Sequence, residues 1–270
     1  MKIILSRKGF DSSSGGVPSP ILPDGRIVSL PIPDPLSPLR YGDIGRDIGC
    51  LASNLTRGRI RRSSRAHLDP DLVAADRPRH PQWRPIFGQA GAAQGHLARQ
   101  GVGPGDVFVF FGLFRRALRQ RGRWVFDPAA ARRHVIWGWL RIAEIWAVDD
   151  CGERVRQWAG EHPHFARAPD PNNTVYLAAS KADAGVFERV ASHRVLTHPD
   201  SERPGLWRLP EWFRPRAGRW PLSYHRRSSR WQPQAGVTLL EAVSRGQEFV
   251  LDTRHYPEAR CWLDQLLDRG

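Results

Sequence analysis

The loop Arg7-Lys8-Gly9-Phe10-Asp11-Ser12-Ser13-Ser14-Gly15-Gly16, which follows a short apolar run, concentrates residue types that can do chemistry. Glycines allow the backbone to approach a phosphate or a base closely, and the hydroxyls of Ser12, Ser13 and Ser14 supply donors. Lys8 and Phe10 add a cation and a ring. Asp11 is the single carboxylate of the loop. A carboxylate placed there can position a water or stabilise a positively charged sugar transition state. The same residues also suit a solvated turn in which Asp11 is only a cap. The GxxxxGK[ST] spacing of a phosphate-gripping loop is absent, so ATP hydrolysis is not supported.

Histidines form the next group. His67-Leu68-Asp69-Pro70-Asp71 and His162-Pro163-His164 each set side chains two residues apart, on one side of an extended segment. A metal site needs three or four convergent ligands, and neither HExxH nor an HxE…CxxC deaminase pattern occurs. The expectation is therefore surface histidines in loops and no metal site, with His164 a candidate contact to a phosphate or base.

Arginine and aromatic residues interleave near the C-terminal end. Residues 203–230 hold eight arginines against one acid, Glu211, and the text around Trp207, Trp212, Trp220, Tyr224 and Trp231 is basic and proline-rich. Rings stack on bases and guanidinium groups hold phosphates. Trp207, Trp212 and Phe213 can equally be core residues with arginines on their rims. Phe111, Trp137 and Tyr224 are the ring candidates for holding a base. Arg61, Arg62, Arg115, Arg226 and Arg227 are the candidates for the DNA backbone, and the acid-free run from Arg57 to Arg65 suits phosphate without reading sequence.

The elements that must position these groups are legible in part. Lys2–Ser6 reads as a buried first strand, and Pro23-Asp24-Gly25 as a turn into an edge strand, Ile27–Leu30. Gln89–Gln100 is predicted helical, stopped by Gly101-Val102-Gly103-Pro104-Gly105. Strands are predicted at Asp106–Gly112, His134–Ile145, Thr174–Ala179 and Glu248–Leu251. Leu239–Ser244 and Pro257–Leu267 are predicted helices, the latter from the spacing of Ala259, Trp262, Leu263, Leu266 and Leu267. Residues 57–80 read as a flexible, arginine-rich excursion. No regular βαβ alternation appears, so the fold class is α+β, one domain over 1–270, with a mixed central sheet and flanking helices.

Composition bounds the partners. Lysine plus arginine number 41 against 27 acids, a net charge of +14, and the pI is near 11.0. Such a field attracts polyanions. A GC-rich genome accounts for arginine in place of lysine (Lys2, Lys8 and Lys181 are the only lysines) but not for the excess of bases over acids. No apolar run reaches the ~20 residues of a membrane span. Cys50, Cys151 and Cys261 are scattered and unpaired in pattern, which argues against a disulfide framework and a structural zinc site. A cytoplasmic address is expected.

Lys2 through Ser12, Gly15-Gly16, and Pro18-Ser19-Pro20-Ile21-Leu22-Pro23-Asp24-Gly25 together resemble the third of the nucleotide-modification-associated domain families. Gly105-Asp106 with Phe110-Phe111-Gly112, Trp207 with Leu209-Pro210, and Gly246-Gln247-Glu248-Phe249 fit the same pattern, so the resemblance covers nearly the whole chain. It implies modified-base DNA as a theme, in a setting such as defence against phages. Within 105–146, Gly103-Pro104-Gly105-Asp106 and the strand from Gly138 look like the strand pair of EVE and other PUA-like barrels, which hold an extruded modified base.

The combined expectation is a DNA-binding enzyme that excises a hypermodified base without a cofactor, with Asp11 catalytic. A non-catalytic reader of modified bases and a base-tailoring transferase are the alternatives.

Overall fold

The computed structural model describes residues 1–244 and 246–268. In chain order the strands are β1 (Lys2–Arg7), β2 (Ser19–Ile21), β3 (Ile32–Pro33), β4 (Ala66–His67), β5 (Ile86–Gln89), β6 (Val107–Gln120), β7 (Arg123–Phe126) and β8 (Arg133–Arg141). They continue as β9 (Glu144–Ala147), β10 (Thr174–Leu177), β11 (Ala184–Val186), β12 (Leu206–Pro210), β13 (Trp231–Gln234), β14 (Val237–Glu241) and β15 (Glu248–Asp252). The helices are α1 (Ile48–Leu55), α2 (Gly91–Arg99), α3 (Glu153–Ala159) and α4 (Glu258–Leu267). The architecture is α+β.

The main sheet runs β11-β8-β6-β1-β15, with β2 and β7 also on β6. β1 lies parallel to β6 and antiparallel to β15, so both its edges are paired. That position explains its sequence: Ile3, Ile4 and Leu5 are all buried, on both faces of the sheet. β6 is buried from Val107 to Phe114 and then leaves the core. Its tail folds back on β7 through Arg121 and Gly122, both at positive φ (49° and 78°), the geometry a tight hairpin requires. α2 and α4 cover the sheet with apolar faces built on Leu97 and on Ala259, Trp262, Leu263 and Leu266.

Several expectations give way. Leu239–Ser244 is not helical: Val237–Glu241 is the middle strand of a sheet ordered β12-β14-β13. It forms a hairpin with β13 through Ala235-Gly236 and pairs on its other edge with the more distant β12, and this pairing overrides a weak local preference. Ile27–Leu30 is not a strand. Ile27 makes an isolated bridge to Ile21, and Ser19–Ile21 takes the edge place beside β6 instead. The segment from His134 to Ile145 divides at Ile142-Ala143, and β9 joins a separate sheet, β5-β10-β9. Residues 57–80 include β4 and bury Ala66, His67, Leu68, Asp71, Leu72 and Asp76, so much of that stretch is packed structure.

Candidate active site

A cavity of about 320 Å³ opens at the carboxyl end of β1. One wall is the Arg7–Ser14 loop. The opposite wall is made by Asp34 after β3, His67 at the end of β4 and Asp69 just beyond it, and His164 in a short turn, with Gln89 at the end of β5 and Ala90 before α2. Pairing of Ile32 with His67 and Pro33 with Ala66 brings Asp34 beside the His67 ring. Residues distant in sequence thus meet because three sheets end at one place.

The loop is rigidly built. Asp11 Oδ1 accepts hydrogen bonds from Ser13 N (2.8 Å), Ser13 Oγ (2.7 Å) and Ser14 N (2.7 Å). All three fall on one oxygen, and Asp11 lines the cavity. Gly15 permits the turn: its φ is 83°, and a Cβ there would sit 2.5 Å from the Phe10 ring. Lys8 Nζ is anchored from below, 3.1 Å from Glu248 Oε1 and over the Phe87 ring. Ser6 Oγ (3.1 Å) and Gln89 Nε2 (2.6 Å) donate to the same Glu248 oxygen, while Oε2 is buried without a partner among the described residues.

The facing wall is a buried imidazole–carboxylate cluster. His67, His162 and His164 are 8%, 2% and 3% exposed, which corrects the expectation of surface histidines. Asp69 Oδ1 accepts from Gly88 N (2.8 Å) and His162 Nε2 (3.2 Å). His67 Nδ1 donates to Asp34 Oδ2 (2.7 Å), and His164 Nδ1 to Asn173 Oδ1 (2.6 Å). The Asn173 amide is oriented in turn, because its Nδ2 donates to the His164 carbonyl (2.8 Å). Burial disfavours charge on both Asp69 and His67. The surrounding histidines outweigh it and hold the Asp69 carboxyl well below the usual range. The hydrogen bond to Asp34 and the neighbouring Asp69 carboxylate outweigh burial in the same way and raise His67 to about 8.

Gly88 lets this cluster close. A Cβ on it would lie 2.3 Å from His164 Cδ2, so the imidazole packs flat where a side chain would be. Gly88→Ala is therefore expected to displace His164 and to cost about 1–3 kcal/mol, as overpacking does. Thermal unfolding and the His164 imidazole NMR signals would check it.

Other sequence candidates fall elsewhere. Lys8, Asp11, Ser13, Ser14 and His164 line the cavity, whereas Ser12 points to solvent. Phe10 packs edge-on against Tyr41 in a second core, and Phe111 is fully buried against Trp207 and Phe249. Trp137 stacks on Phe110. These three rings are closed off by neighbouring side chains, which corrects their reading as base-holding rings. Trp207, Phe213 and Trp231 are core as well. Arg115 is committed to the carbonyls of Ala130 and Pro128, so its expected phosphate contact gives way to a structural one.

Tyr224 is the exception. It is 44% exposed, lies over His96 (4.2 Å between ring centroids) and has a left-handed backbone at φ 68°. That conformation costs on the order of 1–3 kcal/mol. It shares a surface depression with Arg99, Arg226, Arg227 and Arg230, and a neighbouring one adds Lys2, Arg219 and Arg254. Arg61 and Arg62 are exposed on the other core's surface. Asp34, Asp69, Gln89, Arg167 and Glu248 were not singled out from the sequence as site residues. The one available signal was the His67-Leu68-Asp69 spacing.

Fold and site together define an α+β protein with a small, strongly polar cavity and an arginine-rich surface. The chain belongs to the nucleotide modification associated domain 3 family, whose model matches residues 2–252. Neither the curated proteins nor the solved structures contain a match to it. No helix among the described residues is long and apolar enough to cross a membrane.

Proposed function

We propose that this chain is an enzyme that draws a single modified base of DNA into the cavity beside Asp11 and hydrolyses its N-glycosidic bond. The observation that carries the reading is the Asp11 carboxylate, held through Oδ1 by Ser13 and Ser14, in a cavity it shares with Arg7 and Lys8. Its size is at the small end of ligand pockets, roughly 300–1,000 Å³.

In the reaction, the C1′–N bond breaks and its electron pair leaves with the base, which then takes up a proton. Asp11 stabilises the cationic sugar and receives a proton from the water whose oxygen bonds to C1′. Lys8 and Arg7 favour the negative charge that develops on the departing base. The Tyr224 depression with Arg226 and Arg227 would hold the flanking strand, and nucleic acid as partner agrees with the family and the charge. Action on phage DNA is the setting that the theme of modified bases suggests.

DNA carrying glucosylated or hydroxymethylated cytosine, incubated with the protein and no added donor, is expected to release free base and leave alkali-labile sites. Asp11→Asn should lower that rate at least about 100-fold. Binding without release would instead make the chain a reader, and dependence on an added donor a transferase. Affinity should fall steeply with salt, and Arg226→Ala with Arg227→Ala should reduce the slope by about 1–2.

A further inference from the structure

We propose that His67, Asp69 and His164 form a binding site for one divalent first-row transition ion on the wall of the cavity. One ligand atom from each residue lies within 4.8 Å of the others. His67 Nε2 is 3.7 Å and His164 Nε2 3.6 Å from Asp69 Oδ2. A direct charge-assisted hydrogen bond would close to about 2.7–2.9 Å. An ion held about 2.0–2.1 Å from each ligand at tetrahedral angles separates the ligand atoms by about 3.3–3.4 Å. The two imidazole–carboxylate edges stand closer to the second arrangement and need to contract by only a few tenths of an ångström, while the edge between the imidazoles is within 4.8 Å.

The outer partners support the same reading. His67 Nδ1 is bound to Asp34, His164 Nδ1 to Asn173, and Asp69 Oδ1 to Gly88 N and His162 Nε2. Each ligand is thus tied at its far atom, with its near atom turned toward the other two, as in metal sites whose ligands are oriented from behind. Asn173 Oδ1 accepts from His164 Nδ1, so the ring turns Nε2 toward Asp69 Oδ2.

Two imidazoles and one carboxylate suit zinc or iron(II), whereas calcium and magnesium require mostly oxygen ligands. Three protein ligands leave at least one coordination position open. It would face the cavity that Lys8, Asp11 and Gln89 also line. The expectation of no metal from the sequence rests on two separate groups, His67 with Asp69 and Asp71 and His162 with His164, and the fold supplies the convergence they lack.

The site stands whether or not the pocket cleaves a base, and metal titration reads it alone. Chelator-stripped protein titrated with Zn²⁺ in a calorimeter, and with Co²⁺ followed by visible absorption, is expected to bind one ion per chain with histidine–carboxylate bands of low coordination number. His67→Gln and His164→Gln should each weaken binding at least about 100-fold, and Asn173→Ala about 10–100-fold. Circular dichroism would verify that the variants fold. If the histidine variants do not fold, the wild-type stoichiometry and the Asn173 variant decide. No stoichiometric binding by the parent, or unchanged affinity in any of the three variants, would overturn the proposal.

Discussion

Glu248→Ala is expected to lower the stability of the chain by about 3–5 kcal/mol, the cost of removing one partner from a buried ion pair. Glu248 is 1% exposed, and its Oε1 gathers Lys8, Ser6 and Gln89 at the floor of the cavity. Without it the Lys8 ammonium, with a side chain only 10% exposed, has no counter-charge in place. For a chain of this length the change corresponds to a melting temperature lower by roughly 5–10 °C. Removing both charges, Lys8→Met with Glu248→Leu, should recover part of the loss, because well-packed apolar groups replace a buried pair at little net cost. A Glu248→Ala variant that melts like its parent would show that the floor rearranges to let water reach Lys8. The site should suffer in either case, since Gln89 and Lys8 both lose the anchor that aims them.

Acid is expected to unfold the protein well before its carboxylates are protonated. Burial pushes His134 down to about 3, where its ring accepts the Trp207 indole N–H (2.9 Å). Burial likewise takes His225 to about 4, with its Nε2 accepting from Val243 N (3.1 Å). In the unfolded chain both titrate near the ordinary value of about 6.5. From pH 6.5 downward the unfolded state therefore takes up protons that the folded state refuses, and stability falls until the folded rings titrate at pH 3–4. The contribution of these two rings is complete above about pH 6.5. Below it, each ring contributes a loss approaching 1.4 kcal/mol per pH unit, or nearly 3 for the two. Urea unfolding between pH 7 and 5 would measure the slope. His134→Gln, which keeps an acceptor for Trp207, should remove about half of it. A slope unchanged by that substitution would assign the acid sensitivity to other groups.

What could be read without coordinates follows the range of the forces concerned. The strands at Lys2–Arg7, at the start of Val107–Gln120 and at Glu248–Asp252, and the helix Glu258–Leu267, follow from apolar patterning within a few residues. The Asp11 loop was also legible, because a turn rich in glycine and hydroxyls announces itself locally. Family membership came from the same local text and extends over residues 2–252.

Tertiary structure alone decided the rest. A tryptophan in basic sequence looks the same whether its ring faces a base or the core, and only the packing of β12 against β14 and of Phe111 against Trp207 put those rings inside. The helix expected near residue 240 became a strand because it closes a hairpin with Trp231–Gln234 and its other edge meets the distant Leu206–Pro210. His164 lies far in sequence from His67 and Asp69, and no local pattern reports that β4 and the turn at Pro163–Ala166 end on the same wall. Local hydrophobicity and turn chemistry thus determined the elements and one side of the pocket. The long-range pairing of strands placed the other side opposite it, and with it the cluster whose chemistry completes the site.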